Sequence, residues 1–127
     1  MLSTRVDFIE LHILHHANEE PLYGLWMIEE LARHGYRLGS SQLYPRFHRL
    51  EKLGYLRRQA RVVEGRRRKY YRTTPAGRRY LNEQKRRVIE LMKEAFSPAE
   101  LVRDLDPKAR RRTRSTPTTN PTRRSAS

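Results

Sequence analysis

The amino-acid sequence predicts a mainly α fold carrying a two-stranded β-wing, and three observations support it. Helical apolar spacing recurs three times before Gly54. Two strand-like runs then flank the turn dipeptide Glu64-Gly65. Thr74-Pro75 follows, an N-cap residue with Pro at the first helical position, and opens a long amphipathic segment. The order helix, helix, helix, strand, turn, strand, helix is that of a winged helix-turn-helix with a long C-terminal helix.

The first helix is expected from Ser3 or Thr4 to Ala17. Val6, Ile9, Ile13 and Ala17 form one stripe, which Phe8, Leu11 and Leu14 widen, so more than one packing partner is expected. Asn18-Glu19-Glu20-Pro21 ends it. The second helix is expected from Tyr23 to His34, with Leu25, Ile28, Leu31 and Ala32 inward and Gly35 at the left-handed cap position. The third runs from Gly39-Ser40-Ser41 to Leu53, capped by Ser40 or Ser41. It buries Leu43, Phe47 and Leu50 and places Pro45 in or just after its first turn. Tyr55 to Val63 and Arg67 to Thr73 read as the two strands.

The last helix is expected from Pro75 to Phe96. Leu81, Gln84, Val88, Leu91 and Ala95 take a and d positions of a heptad, with Ile89, Met92 and Phe96 beside them. A domain this small has little core left to cover so much apolar surface. Dimerisation through Leu81, Val88, Leu91, Met92 and Phe96 is therefore expected, the alternative being a helix folded back on its own domain. Ser97-Pro98-Ala99-Glu100 is a capping-box pattern for a short helix to Leu105. Three regions result: a DNA-binding winged helix-turn-helix over 1–74, a dimerisation helix with a short extension over 75–106, and a basic tail over 107–127 that composition predicts to be disordered.

Net charge is +14 over 127 residues, and its distribution matters more than its size. Residues 1–56 carry −1, whereas residues 57–72 hold eight Lys/Arg against one acidic residue and residues 107–127 hold seven against none. A basic excess confined to one hairpin and one tail points to a polyanion, above all double-stranded DNA. No apolar run is long enough for a bilayer and no signal peptide is visible, so no membrane partner and a cytoplasmic, nucleoid-associated location are expected.

In a helix-turn-helix the second helix of the motif enters the major groove and its first residues meet base edges. Here those are Ser40, Ser41 and Gln42, aided by the positive end of the helix dipole. Tyr44 and Arg46 are expected on the same exposed side, with Arg49 and Lys52 further along toward phosphate. In the wing, Arg66, Arg67, Arg68 and Lys69 run into Tyr70-Tyr71, cations and hydroxyls suited to a phosphate backbone.

Enzymatic readings find no support. There is no cysteine, no Gly-rich phosphate loop and no nucleophile with a candidate base, and no cofactor is expected. His12 and His16 stand i, i+4 as a two-ligand metal face, but no third ligand of suitable spacing follows, so surface or interface histidines and no metal are expected. Trp26 is expected either to pack on the first helix or a subunit neighbour, or to form an aromatic wall of a ligand pocket.

Two segments resemble the PadR family of transcriptional regulators. One is Leu43-Tyr44-Pro45-Arg46-Phe47-His48-Arg49-Leu50-Glu51 with Gly54-Tyr55-Leu56. The other is Arg68-Lys69-Tyr70-Tyr71-Arg72 with Thr74-Pro75-Ala76-Gly77. Pro21-Leu22-Tyr23-Gly24 adds to the likeness, which spans residues 8–96. The resemblance implies a homodimeric winged-helix repressor on a palindromic operator, dimerised through the C-terminal helix with help from the first. In many members it implies a small-molecule inducer, here a possible small aromatic effector. Tyr44 and Lys69 match positions associated with DNA contact in the family. Leu25-Trp26 departs from the family's usual aromatic-acidic pair, the basic tail is unlike its ordinary C-terminus, and the last helix has no Trp to stack on a flat drug. The competing readings are an architectural, nucleoid-type DNA binder with little sequence choice, and a wing that docks an acidic protein.

Overall fold

The computed structural model describes residues 5–106 and Lys108. The tail expected over 107–127 otherwise lies outside the described residues, as do residues 1–4. Seven elements follow in order: α1 (Phe8–Glu19), α2 (Gly24–Arg33), α3 (Ser40–Lys52), β1 (Leu56–Val63), β2 (Arg66–Thr73), α4 (Pro75–Ala95) and α5 (Pro98–Leu105). The chain is mainly helical with one antiparallel two-stranded sheet, as expected. It divides into two compact units between Lys85 and Arg86.

Helix α1 starts later than expected. Asp7 is its N-cap, Oδ1 accepting from the Ile9 and Glu10 N–H groups at 3.0 and 3.1 Å. This satisfies two of the orphan donors of the first turn, and it leaves Val6 outside the helix. Ile13, Leu14 and Ala17 are buried. In α2 the inward line is Gly24, Met27 and Leu31, with Ile28 half-buried. Leu25, expected inside, is 55% exposed, and Ala32 is exposed too. The cause is rotational: α2 turns its Gly24 edge toward α3, where a Cβ would lie 2.1 Å from the Tyr44 hydroxyl and would have to displace that ring.

The hairpin pairs Leu56 with Thr73 through Val63 with Arg66. Glu64 and Gly65 both have positive φ, at 52° and 78°, as a two-residue turn matching the strand twist requires. Leu22 joins β2 through a bridge in which it and Tyr71 exchange N–H···O bonds of 3.0 and 2.7 Å. The core of the first unit comprises Ile13, Leu14, Ala17, Leu22, Met27, Leu31, Leu43, Phe47, Leu50, Leu56, Tyr71 and Leu81. Phe47 and Tyr71 pack ring to ring at 4.3 Å. Thr73 Oγ1 donates to the Leu14 carbonyl at 2.8 Å, fastening the hairpin base to α1.

Thr74 caps α4 as expected: its Oγ1 accepts from the Gly77 N–H at 3.0 Å and donates to the Gly54 carbonyl at 2.6 Å. The first turns of α4 belong to the winged unit. Tyr80 stacks on Tyr55 at 4.3 Å, and Leu81 and Gln84 are buried. Leu81, expected in a dimer seam, is instead buried in the core of the first unit. In the second unit Ile89, Leu91 and Phe96 are exposed, Val88 and Met92 half-buried. Helix α5 opens on the expected capping box: the Ser97 N–H donates to Glu100 Oε1 at 2.8 Å and the Glu100 N–H to Ser97 Oγ at 3.1 Å. Among the described residues no helix is long and apolar enough to cross a membrane.

Among the described glycines, Gly77 is the one that packs against backbone. A Cβ there would stand 2.2 Å from the Tyr55 carbonyl oxygen, whereas one on Gly39 meets nothing within 4 Å. Gly77→Ala should therefore push α4 off the hairpin base and cost about 1–3 kcal/mol of folding free energy by urea denaturation. Gly39→Ala should cost less than about 1 kcal/mol. Equal effects would show that this contact yields easily.

Candidate nucleic-acid interface

Helix α3 is set by its buried side. Leu43, Phe47 and Leu50 face the core, so the opposite line runs Ser41, Pro45, His48 and Lys52, all exposed. His48 was missing from the expected set, although its spacing of seven from Ser41 and four from Lys52 would have revealed it. The cap is Gly39 rather than Ser40 or Ser41: Gly39 has extended backbone, and its N–H donates to Gln42 Oε1 at 3.1 Å. Both serines lie inside the first turn and are exposed, and Gln42 spends its carbonyl on the cap. Pro45 offers no N–H to the Ser41 carbonyl.

Three expected contacts turn inward or sideways. Tyr44 is half-buried, edge-on to Phe47 at 5.6 Å, with its hydroxyl against Gly24. Arg46 Nη1 donates to Asp7 Oδ2 at 2.6 Å, and Arg49 Nη1 donates to Glu10 Oε2 at 2.7 Å. Two carboxylates, one at the N-cap of α1 and one in its first turn, thereby pair with both arginines of α3. Burial works against the Asp7 charge, but the Arg46 hydrogen bond and the N–H donors of the cap hold its carboxyl below the usual value. Burial pushes the Glu10 carboxyl above its usual value against the pull of Arg49. A cleft of about 750 Å³ lies here, lined by Asp7, Glu10, Ser41, Gln42, Arg46 and Arg49 among others.

The wing's four consecutive cations do not act on one side, because successive strand residues point to opposite faces. Tyr71 and Thr73 face the core, so Arg67 and Lys69 share their side, together with Arg58 of β1. Arg58 Nε lies 3.4 Å from Glu51 of α3, which identifies this as the α3 side of the hairpin. Arg66 and Arg68 project from the other face with Tyr70. There Arg68 lies over the Tyr23 ring at 4.3 Å and Arg61 over Tyr70 at 5.0 Å, while Tyr23 meets Tyr70 edge-on at 5.5 Å. Cation–π contacts thus hold Arg68 and Arg61, whereas Arg67 and Lys69 stand exposed.

Trp26 packs edge-on against His16 of α1 at 5.4 Å, one of the two placements expected for it. The cleft it lines with Pro21, Leu22 and Tyr23 holds about 130 Å³. That is below the roughly 300–1,000 Å³ usual for small-molecule pockets.

Comparison with known proteins agrees with this architecture. The sequence model of the Transcriptional regulator PadR-like family matches residues 13–83. Transcriptional regulator Rv3488 of Mycobacterium tuberculosis is 51% identical over 88 residues, covering 69% of this chain and 82% of that protein. A PadR family transcriptional regulator from Eggerthella lenta superposes with a TM-score of 0.62 at 33% identity, covering 68% of this chain and 77% of the other. A transcriptional regulator from Clostridium thermocellum superposes at 0.55 with 35% identity, covering 71% and 87%. The match thus includes α3, both strands and the start of α4. The chain belongs to the PadR-like family of transcriptional regulators and is not an enzyme.

Proposed function

We propose that this regulator is a homodimeric, sequence-reading repressor that binds a palindromic operator. The observation that carries this reading is the shared side of α3 and the wing. Ser41, Pro45, His48 and Lys52 point outward from α3, and Arg67, Lys69 and Arg58 leave the hairpin on the α3 side. A major groove of about 12 Å admits one helix, and flanking phosphates are then within reach of a wing. In this reading Ser40, Ser41, Gln42 and His48 meet base edges, and Lys52, Arg67 and Lys69 meet phosphates. Arg46 and Arg49 act through α1, holding α3 in place, and Tyr44 acts through Gly24. Arg66 and Arg68 contribute to the field around the wing rather than to ordered contacts. The second subunit docks on the exposed row of α4, where Leu91 is 56% and Phe96 40% exposed, with Val88 and Met92 beside them.

Competition between a genomic palindrome and random duplex at physiological salt tests the reading of sequence. A ratio of about 10³ or more is expected, with transcription from the operator-bearing promoter falling as protein is added. A ratio near one would instead support an architectural binder. The wing gives a sharper readout. Arg67→Ala and Lys69→Ala should each flatten the plot of log affinity against log salt by about 0.9. Arg66→Ala should change it less. Equal slopes for all three variants would remove the two-sided wing.

Sedimentation at micromolar concentration should give a dimer for the wild type and a monomer for Leu91→Glu, which puts a charge into the seam. Monomeric wild-type protein would contradict the dimer.

A further inference from the structure

The sequence offers His12 and His16 one turn apart without a third ligand; the fold supplies one. His34 follows the last turn of α2, and a ligand nitrogen of each of the three imidazoles lies within 4.8 Å of the others. The His12 and His34 rings are 4.7 Å apart, and the His12 and His16 rings 6.2 Å. Glu30, one turn before His34, is buried at the same point. Its Oε2 lies 3.0 Å from His34 Nε2 and 3.4 Å from His16 Nε2. Its Oε1 is held by Arg33, which directs Oε2 toward the imidazoles.

We propose that His12, His16 and His34, with Glu30 as the fourth donor, form a binding site for a divalent transition metal of the zinc class. Three imidazoles and one carboxylate are a donor set for such an ion, and it is too nitrogen-rich for magnesium or calcium. The spacing fits. Donors about 2.0–2.1 Å from a tetrahedral ion lie about 3.3 Å from one another. The two Glu30 distances already match that edge, and imidazole rotation closes the rest. The site is formed from residues 12–34, apart from the proposed DNA-facing side of α3, and an ion in it ties two turns of α1 to the end of α2. His15, whose ring lies 4.8 Å from His16, is exposed and outside the donor set. The chain has five histidines and no cysteine, so few competing ligands exist elsewhere.

The test uses full-length protein without a polyhistidine tag, stripped by chelator and titrated with Zn²⁺ by calorimetry. One ion per chain and a raised thermal midpoint are expected, with Co²⁺ giving the intense visible bands of a tetrahedral complex. His34→Ala removes an exposed side chain outside the core, so the fold should persist by circular dichroism while one-to-one binding is lost. Glu30→Gln should weaken binding about 10–100-fold, and His15→Ala should leave it unchanged. Absence of saturable Zn²⁺ binding at micromolar concentration would overturn the site. So would a weakly absorbing octahedral Co²⁺ complex, or His34→Ala binding like the wild type. The cluster would then be an ion-pair network around Glu30. No DNA enters these measurements, so their outcome is independent of the operator reading.

Discussion

Phe47 of α3 and Tyr71 of β2 meet with ring centroids 4.3 Å apart, both shielded from solvent, and this contact sets the orientation of everything else in the winged unit. It fixes the rotation of α3 about its axis, and so selects Ser41, Pro45, His48 and Lys52 as the outward line. It also fixes the face of β2. With Tyr71 inward, every second residue along the strand follows, and Lys69 and Arg67 leave on that side. Tyr71 carries a third role through its paired backbone bonds to Leu22, which bring the entry to α2 onto the sheet. Magnitudes explain why packing governs here. Losing a buried Phe costs about 3–5 kcal/mol, a large part of the roughly 5–15 kcal/mol that holds a domain together. Ion pairs near the surface contribute about 0–1 kcal/mol. The half-exposed Asp7–Arg46 pair therefore refines an orientation that the core has already imposed, while Arg49 offsets the cost of the buried Glu10 carboxylate.

Those pairs matter more for charge than for stability. The positive charge expected along α3 is reduced by two carboxylates of α1, while Arg68 and Arg61 are drawn onto tyrosine rings. The cations left exposed for a polyanion are fewer than a count along the chain suggests. On the α3 side, the exposed cations outside the ion pairs named above are, among the described residues, Lys52 on α3 and Arg67 and Lys69 on the wing. Under the proposed function, base reading then falls to short polar side chains on α3, and affinity to a small set of well-placed charges.

Several local signals were legible in the sequence, although the caps of α1 and α3 fall on Asp7 and Gly39 rather than on the expected serines or threonine, and the non-local ones were not. Glu64-Gly65, Thr74-Pro75 and the Ser97–Glu100 box each specify geometry within four residues, and the hairpin turn and both caps form as their chemistry requires. The inward face of α2 could not be chosen from spacing, because Leu25, Trp26, Met27 and Ile28 are apolar in succession. Gly24 decides it, through a residue of α3. The partners of Arg46 and Arg49 lie 39 residues away on another helix. His34 is likewise remote from His12 and His16, so spacing alone hid the third imidazole. Leu81 fitted a heptad and a core equally well, and burial assigns it to the core. The split of Arg66–Lys69 between two faces needed only strand alternation anchored at Tyr71, a step that treating the four cations as one cluster passes over.

In the proposed complex the exposed line of α3 and the α3 side of the wing together face DNA. Amine labelling read by mass spectrometry tests this placement directly, because exposed lysines stand on both candidate surfaces and away from them. In the complex with operator duplex, Lys52 and Lys69 should lose reactivity toward an acylating reagent, while Lys85 and Lys93 on α4 react as in the free protein. Protection of Lys85 and Lys93 with Lys52 and Lys69 unchanged would contradict this placement of DNA.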